Sequence, residues 1–124
     1  MRLVDILAGM KSEARRKLAG EIVEAEIPRK GLNRKRAAAA MYMSPGSLDR
    51  IREGDPTIQP PKLRSVEGVL DFPRFLLTHI WEGDAKAIAA IPGMDEDLRR
   101  VILDALARID AKGVDDDENN HQAR

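Results

Sequence analysis

Residues 31–54 constrain the fold most, because their helix start and stop signals leave room for only two short helices. Asn33 is a good N-cap for a first helix, which is expected to run from the next residue to about Met41. Ser44 caps a second helix with Pro45 in its first turn, and the closing glycine of the segment follows its end. This spacing predicts a helix-turn-helix.

The composition favours helices throughout the chain. Aromatic residues are only 3% of the sequence, so Ala, Leu, Ile, Val and Met must fill the core, which suits closely packed helices better than a sheet. Cysteine is absent, which excludes disulfides, thiolate metal sites and a cysteine nucleophile. No apolar run approaches the roughly 20 residues of a membrane span. We therefore expect an all-α, cytoplasmic protein that does not contact a membrane.

Helical spacing of apolar residues predicts the remaining elements. One or two amphipathic helices are expected over 2–26, with Gly9 and Gly20 weakening their continuity and the stretch 27–31, which contains Pro28 and Gly31, ending the region. Further helices are expected over 62–70, around 75–81 and over 95–111, with Gly113 ending the last. The stretch 85–91 either extends the helix around 75–81 past Gly83 or forms a separate short helix. The resulting divisions are an N-terminal amphipathic helical segment (1–30), a helix-turn-helix core (31–82), a C-terminal helical extension (83–112) and a disordered acidic tail (113–124).

Charge is unevenly distributed, although the net charge is zero. Residues 1–36 carry 10 basic and 5 acidic side chains, whereas residues 113–124 carry 1 basic and 4 acidic ones. The basic end leads into the helix-turn-helix, where it would attract phosphate groups. A solvated basic surface without a partner is the alternative explanation.

Several short matches in this region carry a resemblance to a known family. They are the opening Gly31-Leu32-Asn33, the alanine Ala38, the turn exit Met43-Ser44, the close Ile51-Arg52-Glu53-Gly54 and the following helix 62–73. With these residues the chain, from about 20 to 80, resembles the lambda-repressor-like (xenobiotic-response-element) family of bacterial and phage regulators. Three features depart from the pattern. Arg34 replaces a frequent glutamine. Met41-Tyr42 replaces the usual Ala-Gly pair, so a tyrosine stands at the turn glycine, where left-handed geometry costs about 1 kcal/mol. The exposed recognition positions are a sparse set for base reading: Pro45, Gly46, Ser47, Asp49 and Arg50.

The resemblance implies that the helix 45–53 enters the DNA major groove. It assigns base readout to Ser44, Pro45, Gly46, Ser47, Asp49 and Arg50, and phosphate contact to Arg34, Lys35 and Lys62. Helical spacing turns Leu48 and Ile51 inward and leaves Gly46, Ser47, Asp49 and Arg50 accessible. Ser47 and Arg50 are the direct readers, since arginine matches guanine O6 and N7, while Asp49 offers an acceptor for cytosine N4.

The helix 95–111 carries a wide apolar stripe, formed by Leu98, Val101, Ile102, Ala105, Leu106 and Ile109. The stripe has two explanations. It closes the core as the last helix, or it is a dimer seam, because helix-turn-helix proteins usually bind paired half-sites through two-fold symmetry.

Catalytic signatures are absent from the sequence. His79 and His121 are the only histidines, and there is neither a nucleophile elbow nor a glycine-rich phosphate loop. The acidic run 115–118 is expected to be solvated rather than to bind a cation. We therefore expect no enzyme, no metal and no cofactor.

The expected function is sequence-specific binding of double-stranded DNA by a homodimeric, repressor-like transcriptional regulator. The alternative is a protein-interaction module, antitoxin-like or host-directed, which keeps the fold and binds a protein. The unusual turn at Met41-Tyr42 and the zero net charge motivate this alternative. A protein partner for the C-terminal helices, over 74–111, is compatible with either function.

Overall fold

Helices are the only regular structure in residues 2–91, 94 and 96–122, which the computed structural model describes, with side chains described as far as residue 111. In these ranges the helices are α1 (Leu3–Ala8), α2 (Ser12–Arg29), α3 (Arg34–Ala40), α4 (Pro45–Glu53), α5 (Pro60–Val69), α6 (Leu76–Glu82), α7 (Ala85–Ala89) and α8 (Glu96–Gln122). The predicted all-α architecture is confirmed. None of these helices combines the length and the apolar character that a membrane crossing requires.

The central element is α2, against which α4, α6 and α8 all pack. Leu18, Ile22 and Val23 in its middle have no exposed surface, and Glu21 and Glu26 are buried as well. One or two amphipathic helices were expected near the N-terminus and two are found. Helix α2 is not amphipathic on one side only, because α4, α6 and α8 all pack against it. A single hydrophobic core extends from α1 to α8, so the expected segments 1–30, 31–82 and 83–112 share it.

Gly20 acts differently in α2 than the sequence predicted. The chain breaks between α1 and α2 after Gly9, whereas Gly20 lies inside α2. A Cβ atom at Gly20 would be 2.2 Å from the carbonyl oxygen of Arg52, so this glycine permits backbone contact between α2 and α4. The helix continues past residue 26, with Pro28 in its last turn, and ends at Arg29, within the stretch 27–31 that was expected to end the region.

The start of α6 is held by a side chain of α5. Glu67 is buried, and its carboxyl oxygens accept hydrogen bonds from the backbone N–H of Phe75 (3.0 Å), the N–H of Thr78 (3.1 Å) and the hydroxyl of Thr78 (3.4 Å). Phe75 adopts left-handed geometry with φ of 69° where α6 begins. Glu67 therefore satisfies donors that the first turn of α6 leaves unpaired.

The apolar stripe of α8 closes the core. Leu98, Ile102, Ala105 and Leu106 are buried in the single chain, and Val101 and Ile109 pack partly buried against the same core. Arg108 fastens α8 to α2 by donating from Nε to Glu21 Oε2 at 3.2 Å. The alternative that this stripe is a dimer seam is therefore wrong for its buried members, because the monomer already uses them.

Helix α8 is also longer than expected. It passes through Gly113 and ends at Gln122, so Gly113 is not its C-terminus. A glycine inside a helix costs only about 1 kcal/mol relative to alanine, which a long helix tolerates. The backbone described up to Gln122 is thus helical where a disordered acidic tail was expected over 113–124.

Candidate nucleic-acid interface

The predicted boundaries of α3 and α4 are confirmed by their caps. Asn33 Oδ1 accepts a hydrogen bond from the N–H of Arg36 at 2.8 Å, and Ser44 Oγ accepts one from the N–H of Ser47 at 3.1 Å. Gly54 ends α4 in left-handed geometry with φ of 75°. These bonds satisfy backbone groups that helix ends leave unpaired, so both helices begin where the sequence places them.

The turn between α3 and α4 keeps a left-handed residue although glycine is missing. Tyr42 has φ of 57°, and its side chain is 96% exposed. The next residue, Met43, donates its N–H to the carbonyl of Ala38 at 3.0 Å, which closes the turn on α3. Met41 is buried beneath the turn. The tyrosine thus bears a conformational cost without a compensating side-chain contact.

Close backbone packing positions α4. Ala37 and Ala38 of α3 are fully buried, and their small side chains allow α4 to approach. Leu48 and Ile51 are also fully buried, which confirms that they turn inward. On the other side of α4, the backbone of Arg52 rests against α2. The orientation of α4 is therefore fixed from two directions.

An ion pair joins the start of α3 to the outer side of α4. Arg34 donates from Nε and Nη2 to the two carboxylate oxygens of Asp49, at 2.8 and 2.6 Å. Arg52 Nη1 lies 3.5 Å from the same carboxylate and its Nη2 lies 3.1 Å from Glu24 of α2. The hydrogen bonds from Arg34, with the charges of Arg34 and Arg52, hold the pKa of Asp49 below its ordinary value.

This ion pair changes what Arg34 and Asp49 offer to a ligand. A phosphate contact was predicted for Arg34 and base readout for Asp49, and the structure makes each the partner of the other. The helical spacing of Asp49 and Arg52 could have suggested their contact. Nothing in the sequence indicates Glu24, which lies in another helix and completes this network.

Ser47 does not face solvent as predicted. It is 8% exposed, and its Oγ lies within hydrogen-bond distance of Ser44 Oγ at 3.1 Å, Lys62 Nζ at 3.2 Å and Arg50 Nη2 at 3.4 Å. The predicted accessibility of Ser47 is wrong because its hydroxyl points under two long basic side chains. Lys62 comes from the next helix, α5, so these contacts also link α4 to α5.

The remaining predicted residues lie in α3 and α4. Gly46 and Arg50 are exposed, while Pro45 is half-buried in the first turn. Lys35 is exposed near the start of α3. None of Lys35, Arg50 and Lys62 forms an ion pair with a described residue. This part of the surface can therefore attract an anion.

The described residues hold no cluster of metal-binding side chains. No three His, Cys, Asp or Glu side chains gather closely enough to hold a metal ion in the residues that can be described. His79 is half-buried, and its ring centroid lies 6.0 Å from that of Phe75. His121 and the acidic run 115–118 lie outside the residues whose side chains the structure describes.

Comparison with known proteins adds no relative: no family model, curated protein or solved structure matches this chain. The class that the structure defines is an all-helical protein in which a central α2 supports the short helices α3 and α4. Its function has to be argued from the surface around α4.

Proposed function

We propose that this protein binds double-stranded DNA by placing α4 in the major groove, as a repressor-like transcriptional regulator of the lambda-repressor type. The observation that carries the proposal is the α3–α4 pair. Its helices have side-chain caps, a four-residue connection with a left-handed residue, and an α4 that is exposed at Ser44 and Gly46 where it begins. This is the geometry by which a helix-turn-helix presents its second helix to base edges.

The charge around α4 supports a polyanionic partner. Arg50 of α4 and Lys62 of α5 meet at Ser47, Lys35 is exposed in the first turn of α3, and none of the three forms an ion pair with a described carboxylate. The N-terminal end of α4 adds the positive end of a helix dipole. Phosphate contacts position a protein on DNA, so this group of cations provides docking and orientation.

The set of residues available to base edges is smaller than the sequence suggested. Ser44 caps α4, Ser47 is buried, and Asp49 is paired with Arg34. Pro45 and Gly46 remain at the end of α4 that enters the groove in this proposal. Their contribution is close steric fit and apolar contact, for example with a thymine methyl group, rather than a dense pattern of hydrogen bonds.

Selection from a randomised duplex pool tests the proposal. The purified chain is incubated with the pool at near-physiological salt, and the retained DNA is sequenced. Enrichment of one motif is the expected result, and an inverted repeat in it would support a two-fold dimer. Lys35→Ala should weaken retention of all sequences, whereas Lys86→Ala on α7 is the matched control and should leave retention unchanged. Equal retention of the pool and of no-protein controls would refute the proposal.

A homodimer is part of the proposal, and its interface has to be formed by residues other than the buried ones of α8. Analytical ultracentrifugation with and without the enriched duplex measures the stoichiometry. Two chains per inverted repeat would support the dimer. One chain per site would leave a monomeric DNA-binding protein.

A protein partner is the second candidate, and Tyr42 favours it. An exposed aromatic side chain on a strained turn is a typical binding anchor. The discriminating experiment is a nuclease-treated pull-down with the wild type and with Tyr42→Ala. One stoichiometric protein retained by the wild type and lost in the variant would favour this function over DNA binding.

A further inference from the structure

Two cations from different helices meet at one neutral oxygen. Arg50 Nη2 of α4 and Lys62 Nζ of α5 lie 3.4 and 3.2 Å from Ser47 Oγ. Ser44 Oγ lies 3.1 Å from the same atom and caps the N-terminus of α4. The hydroxyl that joins them is in a residue only 8% exposed, so the two basic groups are held at a fixed place.

The charges in this cluster are not compensated within the described chain. A hydroxyl carries no charge to offset two like charges, and the adjacent N-terminal end of α4 adds positive potential. The Asp55 carboxylate accepts hydrogen bonds from the N–H and hydroxyl of Thr57, which lower its pKa, with smaller contributions from the charges of Arg50 and Arg16, and it forms no ion pair with Arg50. A small anion between Arg50 and Lys62 would supply the missing charge.

We propose that Arg50 and Lys62 together bind one phosphate group of the DNA backbone, with Ser47 as the residue that positions both. This inference rests on the proposed DNA-binding function and assigns a partner to one part of its surface. It differs from the expectation that Arg50 reads guanine. The edge of guanine is neutral and cannot offset two converging cations, whereas a phosphate has a negative charge and two free oxygens for two donors.

Salt dependence of DNA binding tests whether the two side chains share one phosphate. The slope of log K against log salt changes by about 0.9 for each phosphate contact with duplex DNA. We expect the double variant Arg50→Ala/Lys62→Ala to have a slope that is shallower by about 0.9, and each single variant to have one that is shallower by less. Affinity for the enriched and for a random duplex should fall by the same factor. Arg64→Ala, an exposed cation of α5 outside the cluster, is the control.

Two results with DNA would overturn the inference. A slope that is shallower by about 1.8 in the double variant would mean two separate phosphate contacts. Arg50→Ala that relaxes the preference at one base pair, without a uniform loss of affinity, would restore base readout to Arg50.

A titration with inorganic phosphate separates this inference from the proposed function. Amide chemical shifts of Ser44, Gly46, Ser47 and Lys62 are followed by NMR, with sodium chloride at equal ionic strength as the control. Shifts with phosphate alone are expected, reduced by Ser47→Ala and recovered by Ser47→Thr. If phosphate shifts these amides and no duplex binds, the anion site stands and the DNA-binding function fails. If phosphate and chloride act alike, the site is refuted whatever the DNA result.

Discussion

The carbonyl oxygen of Arg52 lies directly against the α-carbon of Gly20, so closely that a Cβ atom at Gly20 would be 2.2 Å from it. Real Cβ atoms do not approach a backbone oxygen at that distance, and no rotation of a methyl group relieves it. The central helix α2 and the candidate recognition helix α4 therefore meet backbone to backbone. This contact sets how far α4 stands out from the core.

Gly20→Ala should consequently push α4 away from α2. We expect a loss of about 1–3 kcal/mol in the free energy of unfolding, which is the range for inserting a methyl group into a packed site. Urea denaturation measures the loss, and amide shifts confined to α4 and its contacts would locate it. Gly68→Ala is the control, because no atom lies within 4 Å of a Cβ at Gly68. Equal stability of Gly20→Ala and wild type would contradict the packing described.

Tyr42→Gly should stabilise the protein by about 1 kcal/mol, because glycine accepts the left-handed geometry that costs other residues this amount. The tyrosine side chain is 96% exposed, so its removal sacrifices little packing. Thermal or urea unfolding measures the gain. Unchanged or reduced stability of the variant would mean that Tyr42 makes a contact that the structure does not contain.

Gly31→Ala provides the reverse experiment. Gly31 has φ of 72°, and a Cβ atom added there would have no neighbouring atom within 4 Å. The cost of this substitution therefore arises from backbone geometry alone. We expect a loss of about 1 kcal/mol, close to the gain at Tyr42 and opposite in sign. Opposite and similar changes would identify backbone strain as the common cause.

Local signals in the sequence were sufficient for the helix boundaries of the candidate site. Asn33, Ser44 and Gly54 act within a few residues of themselves, so their effect can be derived without knowing the fold. The role of Gly20 could not be derived in this way, because its reason is the backbone of Arg52, 32 positions further along the chain. The sequence alone therefore suggested a weak point where the fold has a tight contact.

The chemistry of the site was less predictable than its helices. Helical spacing placed Ser47 on the accessible side of α4, but Lys62 from α5 reaches over it. Motif position gave Arg34 and Asp49 separate roles, although their side chains bond to each other across α3 and α4. In both cases the deciding contact comes from another helix, which periodicity along one helix does not contain.

Glu67→Ala should be among the most destabilising single changes in the bundle. Its carboxyl group accepts hydrogen bonds from Phe75 and Thr78, and removal leaves those buried donors unpaired. We expect a loss of about 2–3 kcal/mol in unfolding free energy. The control is Glu82→Ala, an exposed glutamate of α6 that should change stability by less than about 0.5 kcal/mol. A loss at Glu67 no larger than at Glu82 would contradict the capping role.

The pKa of Asp49 should rise in Arg34→Gln, because the hydrogen bonds and charge of Arg34 keep it below its ordinary value in the wild type. A depressed pKa in the folded state means that the pair stabilises the fold above the ordinary carboxyl pKa of about 3.9. That contribution is lost as pH falls through the lower, folded pKa. Carbon-detected NMR titration of the Asp49 carboxyl in both proteins measures the change. Identical titration curves for Asp49 would show that the pair does not form in solution.

Asp49→Asn should strengthen DNA binding without favouring any sequence. The substitution removes a negative charge that faces the phosphate backbone in the proposed complex, and it frees Arg34 from a charged partner. We expect tighter binding to enriched and random duplexes alike, with a salt slope steeper by about 0.9 if Arg34 then contacts a phosphate. Fluorescence anisotropy at several salt concentrations measures both quantities. The charge-matched control is Asp84→Asn at the N-terminus of α7. Weaker binding, lost mainly at a C·G pair, would instead show that Asp49 leaves Arg34 and reads cytosine N4.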